Sequence, residues 1–132
     1  MLDSAYCSMG RMVAVRACER AGWNYYDSPI LLDLVPELGV TMDDVDAFEA
    51  KSAAEGADLD ALRKSAEYAR IADAFRLAAE RAIGEGPCLI HDRVSREFVE
   101  GLGKRCVVAM TYATDRPAMR VRAILTALCW AQ

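Results

Sequence analysis

Residues Ser4–Val15 read SAYCSMGRMVAV, a short polar turn with a single glycine, Gly10, running straight into a helical pattern. Where a turn opens onto a helix, converging backbone N–H groups and the helix dipole hold an anion. Gly10, with Ser8 before it and Arg11 after it, has the residue types for such a phosphate cradle. Cys7 and Met9 carry side chains where glycines would let the backbone come closest to the anion. The plain alternative for the same residues is a serine cap followed by an ordinary helix.

Outward from this stretch the pattern alternates between helix and strand. Met9, Val13, Ala17, Cys18 and Ala21 recur at helical spacing, and Gly22 supplies a stop. The aromatic run WNYYD that follows reads as a strand. Ser28 before Pro29 predicts a helix start with serine as the cap and proline at the first helical position. That helix carries Ile30, Leu31, Leu34 and Val35 and ends at Pro36 and Gly39. Thr41 caps a second, acidic segment, and its run from Asp43 to Glu49 reads as a solvated face.

A single long helix is expected from about Leu59 to Ile83, with Tyr68, Ile71, Ala72, Phe75, Ala78, Ala79 and Ala82 as its apolar stripe. Its spacing makes Tyr68 and Phe75 core residues rather than a stacking platform. CLIH, from Cys88 to His91, and KRCVVAMTY, from Lys104 to Tyr112, read as buried strands. Val94 to Leu102 and the segment from Asp115 to Gln132 read as helices. Apolar strands separated by helices imply a parallel α/β sheet covered on both faces, in one domain.

Composition narrows the function classes. The 132 residues carry a formal net charge of −4 with 54% hydrophobic residues, a globular balance that argues against non-specific nucleic-acid or lipid binding. No signal peptide or transmembrane run is evident. Five cysteines without a C-x-x-C pair fit reduced thiols in a cytoplasmic protein, and a single histidine gives no zinc pattern.

Taken in order, four stretches resemble the cytidylate kinase-like family of P-loop nucleoside-monophosphate kinases. YCSMGRMVAVRACERAGWNYYD looks like that family's Y-G-S-G-G-R opening, with Gly22 and Asp27 in step. SPILLDLV resembles the helix that follows it. GPCLIHDRV resembles the G-x-C-V-I-x-G-R strand, with Arg93 at the arginine, and VVAMTYATD resembles the next strand and its exit. The resemblance implies a doubly wound P-loop NTPase-type sheet that moves a phosphoryl group from ATP with Mg²⁺ to a nucleoside monophosphate, CMP or dCMP. It implies that Cys7, Ser8, Met9, Gly10, Arg11 and Met12 hold the donor phosphates. Arg11 neutralises them, Arg93 contacts the acceptor, and Tyr25, Tyr26 and Asp27 line the acceptor side. Residues from about 40 to 84 would be a helical acceptor-side insertion.

The departures from that family fall on the chemistry. No lysine follows the turn, and Met12 stands where a magnesium-binding hydroxyl is often found, leaving Ser8 as the substitute. Asp92 replaces the glycine before Arg93. The family's first strand is reduced to Met1-Leu2-Asp3, and no lid or last strand matches after Arg116, so the resemblance is to an incomplete domain. Arg116, Arg120 and Arg122 read as an exposed helix face, and His91 as a structural residue at a strand end. Weak or lost phosphoryl transfer is the expectation. The alternative is a non-catalytic, helix-rich interaction protein or gene fragment that keeps the fold, its uncovered sheet edge suited to a second copy of the chain.

Overall fold

A computed structural model of the chain describes residues 2–4, 10–56, 59–91 and 109–111. Its elements are β1 (Leu2–Ser4), α1 (Gly10–Ala21), β2 (Asn24–Tyr26), α2 (Ser28–Leu32), a 3₁₀ turn (Pro36–Leu38), α3 (Met42–Glu55), α4 (Leu59–Arg63), α5 (Ala66–Gly84), β3 (Cys88–Ile90) and β4 (Ala109–Thr111). The helices expected over 94–102 and 115–132 lie outside the described residues, as does most of the strand expected over 104–112.

The strands form two parallel pairs. β1 runs beside β4 with Asp3 opposite Met110, and β2 runs beside β3 with Tyr25 opposite Leu89. Each pair joins strands distant in sequence, and α2 to α5 lie between β2 and β3 in the chain, as a parallel arrangement requires. The reduced first strand of the sequence reading is thus a short strand with a partner, Leu2–Ser4 along β4.

The β2–β3 ribbon has helices on both faces, and its alternation sorts the side chains. Tyr26 and Ile90 join Leu31, Leu32, Val35, Ile71, Phe75 and the alanines of α5 in the larger core cluster. Leu89 joins Val13, Ala14, Ala17 and Cys18 of α1 in the smaller one, with Tyr25 and Trp23 against it. Ala74, Ala78, Ala79 and Ala82 are fully buried, so α5 meets its neighbours through small side chains at short range. The helix α1 packs against β1, β2 and β3 and so spans both strand pairs.

Three helix boundaries differ from the sequence expectation. The cap of α2 is Asp27, not Ser28: Asp27 is extended (φ −112°, ψ 177°) and its carboxylate accepts from the Ile30 amide. Asp and Ser cap about equally well, and here the strand exit leaves Asp27 extended while Ser28 is the first helical residue and Pro29 the second. α2 also ends at Leu32, because Pro36 disfavours helical geometry at Val35, which sits at φ −132°, ψ 48°. The helix expected as one piece from Leu59 is two. Ser65 breaks it, donating to the Leu62 carbonyl at 2.8 Å and capping α5 by accepting from the Tyr68 amide at 3.1 Å. Thr41 caps α3 as expected, in a reciprocal box with Asp44. Gly22, at φ 68°, closes α1 in the left-handed conformation that the turn into β2 needs.

No helix among the described residues is long and apolar enough to cross a membrane.

Candidate functional site at the carboxyl edge of the strands

Parallel strands place all their carboxyl ends on one edge, and in open α/β sheets that edge is where ligands settle. The amino end of α1 lies at the carboxyl ends of β2 and β3, because Arg11 in its first turn pairs with Asp27 just beyond β2. The alternation of each strand then decides which side chains gather. On β2 and its exit, Tyr25 and Asp27 belong to the face covered by α1, and Tyr26 to the face covered by α2 and α5. On β3 and its exit, Leu89 and His91 share the α1 face, and Ile90 the other.

Two polar pairs stand on the α1 face at the strand ends. Arg11, in the first turn of α1, pairs with the Asp27 carboxylate at 3.0 Å. The two are unequal: the Arg11 side chain is 70% exposed and that of Asp27 only 9%. One carboxylate oxygen thus meets the guanidinium while the other caps α2, holding the Ile30 amide at 3.3 Å. The guanidinium has five N–H donors and remains largely open to solvent, so it can contact a further anion. The first turn of α1 holds no acidic residue, which leaves the positive end of its dipole uncancelled from within the helix.

Beside this pair, the Tyr25 hydroxyl and His91 Nδ1 are 3.2 Å apart, with ring centroids 6.2 Å apart. His91 is 7% exposed, and its backbone amide donates to the Tyr26 carbonyl at 2.9 Å, one step beyond the β2–β3 ladder. The tautomer sets the direction across this contact: the Tyr25 hydroxyl donates to a bare Nδ1, whereas an Nδ1–H donates to the Tyr25 oxygen. This pair can accept or release one proton at a fixed point on the edge.

The sequence-predicted residues divide accordingly. Gly10 is buried at the start of α1, and Arg11 and Asp27 are brought together. Met12 is 60% exposed beside them and offers a thioether, a poor partner for a hard cation. Tyr26 goes to the opposite face, 5% exposed, where its hydroxyl donates to Glu85. Burial, and then the Glu85 carboxylate, push its phenol up to about 12, which suits a neutral structural donor rather than a ligand contact. Cys7, Ser8, Met9 and Arg93 lie outside the described residues. Tyr25, given with Tyr26 to the acceptor side from sequence, stays on the α1 face, and His91, read from sequence as a structural residue, is the one the strand alternation adds.

Cys18 lies deeper on the same face, its thiol donating to the Asn24 carbonyl at 3.6 Å. Burial, reinforced by nearby Cys88, pushes that thiol up to about 11, so at neutral pH it is protonated and a poor nucleophile. Among the described residues no group of three or more His, Cys, Asp or Glu side chains is placed to hold a metal ion.

No protein-family model matches the chain, and searches of curated proteins and of solved structures returned no significant match.

Proposed function

We propose that this chain binds a nucleoside monophosphate, CMP or dCMP by its resemblance to the cytidylate kinase-like family, and that its transfer of phosphate from ATP is slow or lost. The observation that carries the binding half is the gathering of the α1 amino end, Arg11, Asp27 and the Tyr25–His91 pair at the carboxyl edge of parallel strands. The resemblance gives this turn to the donor phosphates, but with acceptor-side Asp27 paired to Arg11 the phosphate of a monophosphate there also gains the helix dipole, the backbone amides of the first turn and the open side of the guanidinium. Asp27 opposes it by charge, and Arg11 offsets that opposition. The slow-transfer half rests on Met12 and on the absence of a lysine after Gly10 in the sequence. Positioned cations supply most of phosphoryl-transfer catalysis, and this turn has fewer of them than the family pattern.

Thermal unfolding with CMP, alongside a coupled assay with ATP, Mg²⁺ and CMP, tests the proposal. Ligand at about 100 times its dissociation constant stabilises a protein by about 2.7 kcal/mol, several degrees for a chain of this size. The expected result is a clear rise in Tm with CMP and turnover at most just above background. An unchanged Tm at millimolar CMP refutes the binding half, and brisk turnover refutes the other.

A further inference from the structure

Binding at the carboxyl edge places a dianion near the one imidazole in the chain. His91 is the residue after Ile90, as Asp27 is the residue after Tyr26, and Ile90 and Tyr26 are register partners. His91 and Asp27 therefore stand side by side at the strand ends, both on the α1 face. We propose that His91, held by Tyr25, is a proton-linked positioning residue for a phosphomonoester dianion at this edge. The inference rests on the binding site proposed above and adds the way in which that site answers to pH.

The groups around the ring define the coupling. From β2 come Tyr25, hydrogen-bonded to Nδ1, and beyond it Asp27, whose charge is shared between Arg11 and the α2 cap. From α1 come Arg11, engaged with Asp27, and Cys18, engaged with the Asn24 carbonyl. From α5, on the opposite face, Glu85 is held by Tyr26. Among the described residues the nearby carboxylates are each engaged by a donor, so an arriving dianion adds negative charge beside the ring beyond what Arg11 already balances.

An arriving dianion favours the imidazolium. The ring takes one proton from solvent at the nitrogen that was accepting, so both nitrogens become donors. In the imidazolium the Tyr25 oxygen accepts from Nδ1–H. No other covalent bond is made or broken.

Because the chain has a single histidine, its ring resonances in an NMR pH titration are unambiguous. With saturating CMP the His91 pKa is expected to rise by about one unit, a tenfold coupling between proton and ligand. The second ionisation of a phosphate near pH 6 contributes its own pH dependence, which His91→Gln retains while losing the imidazole part. CMP affinity between pH 6 and 8 should therefore vary less in His91→Gln than in the wild type. Tyr25→Phe should keep the fold, because its ring still packs on the α1 cluster, and should alter the titration midpoint by removing the hydroxyl. CMP binding with the imidazole titration unmoved overturns this inference and leaves the site standing. Absence of CMP binding overturns both.

Discussion

Substituting Asp27 separates the two roles of its carboxylate. Asp27→Ala removes the cap of α2 and leaves the Ile30 amide without its acceptor. Loss of such a cap costs about 0.5–2 kcal/mol. Loss of the Arg11 pair adds only about 0.2–1 kcal/mol, because the guanidinium is mostly in water. Together these give a destabilisation of about 1–3 kcal/mol for Asp27→Ala. Asp27→Asn keeps a capping oxygen of equal quality and loses only the charge, so it should cost about 1 kcal/mol or less. The same change removes a negative charge from the proposed anion site and releases Arg11. If the pair's full worth is returned to the ligand, CMP should bind roughly 1.4- to 5-fold more tightly. Urea unfolding reads the first effect and a CMP titration the second. Equal destabilisation by Asn and Ala would refute the capping role, and weaker CMP binding by Asp27→Asn would refute the description of Asp27 as opposing the ligand.

Three further outcomes follow from the fold. Tyr26 and Cys18 titrate higher folded than unfolded, so the stability they contribute is intact below their ordinary values of 10.0 and 9.0. It should be lost as pH rises through about 11 for Cys18 and about 12 for Tyr26, with Tyr26→Phe flattening the upper part of a urea-midpoint series against pH. Phe75→Ala empties the centre of the α5 core and should cost about 3–5 kcal/mol, a large share of a typical domain's stability, read as a lower urea midpoint. Gly22→Ala meets no atom within 4 Å but must hold φ 68°, so it should lower stability by about 1–2 kcal/mol through backbone conformation alone.

Much of this architecture was legible from local chemistry. The Thr41 cap, the Gly22 stop, the parallel strands and most of the apolar stripe of α5 follow from a few residues whose physics admits little else, although Tyr68 and Ala72 of that stripe are only half-buried and Ala74 is buried instead. The break at Ser65 was not, because a serine in a helical run caps only when its hydroxyl finds both the Leu62 carbonyl and the Tyr68 amide. The choice of Asp27 over Ser28 was equally hidden, since both are good caps and only the exit angle of β2 decides between them. At the site, Arg11 and Asp27 were chosen from the sequence without any sign that they pair with each other. Tyr25 and Tyr26 were both given to the acceptor side, although the period of a strand sends the two to opposite faces. That same period, applied to Asp27, Leu89 and His91 with the β2–β3 register in hand, is the signal that brings His91 to the edge.

Isothermal titration of CMP into the wild-type chain and into Arg11→Ala, at low salt near neutral pH, bears on the central claim most directly. The account predicts saturable one-to-one binding to the wild type, and weaker binding once the exposed guanidinium at the start of α1 is gone. No saturable heat, or an affinity that Arg11→Ala leaves unchanged, would contradict it.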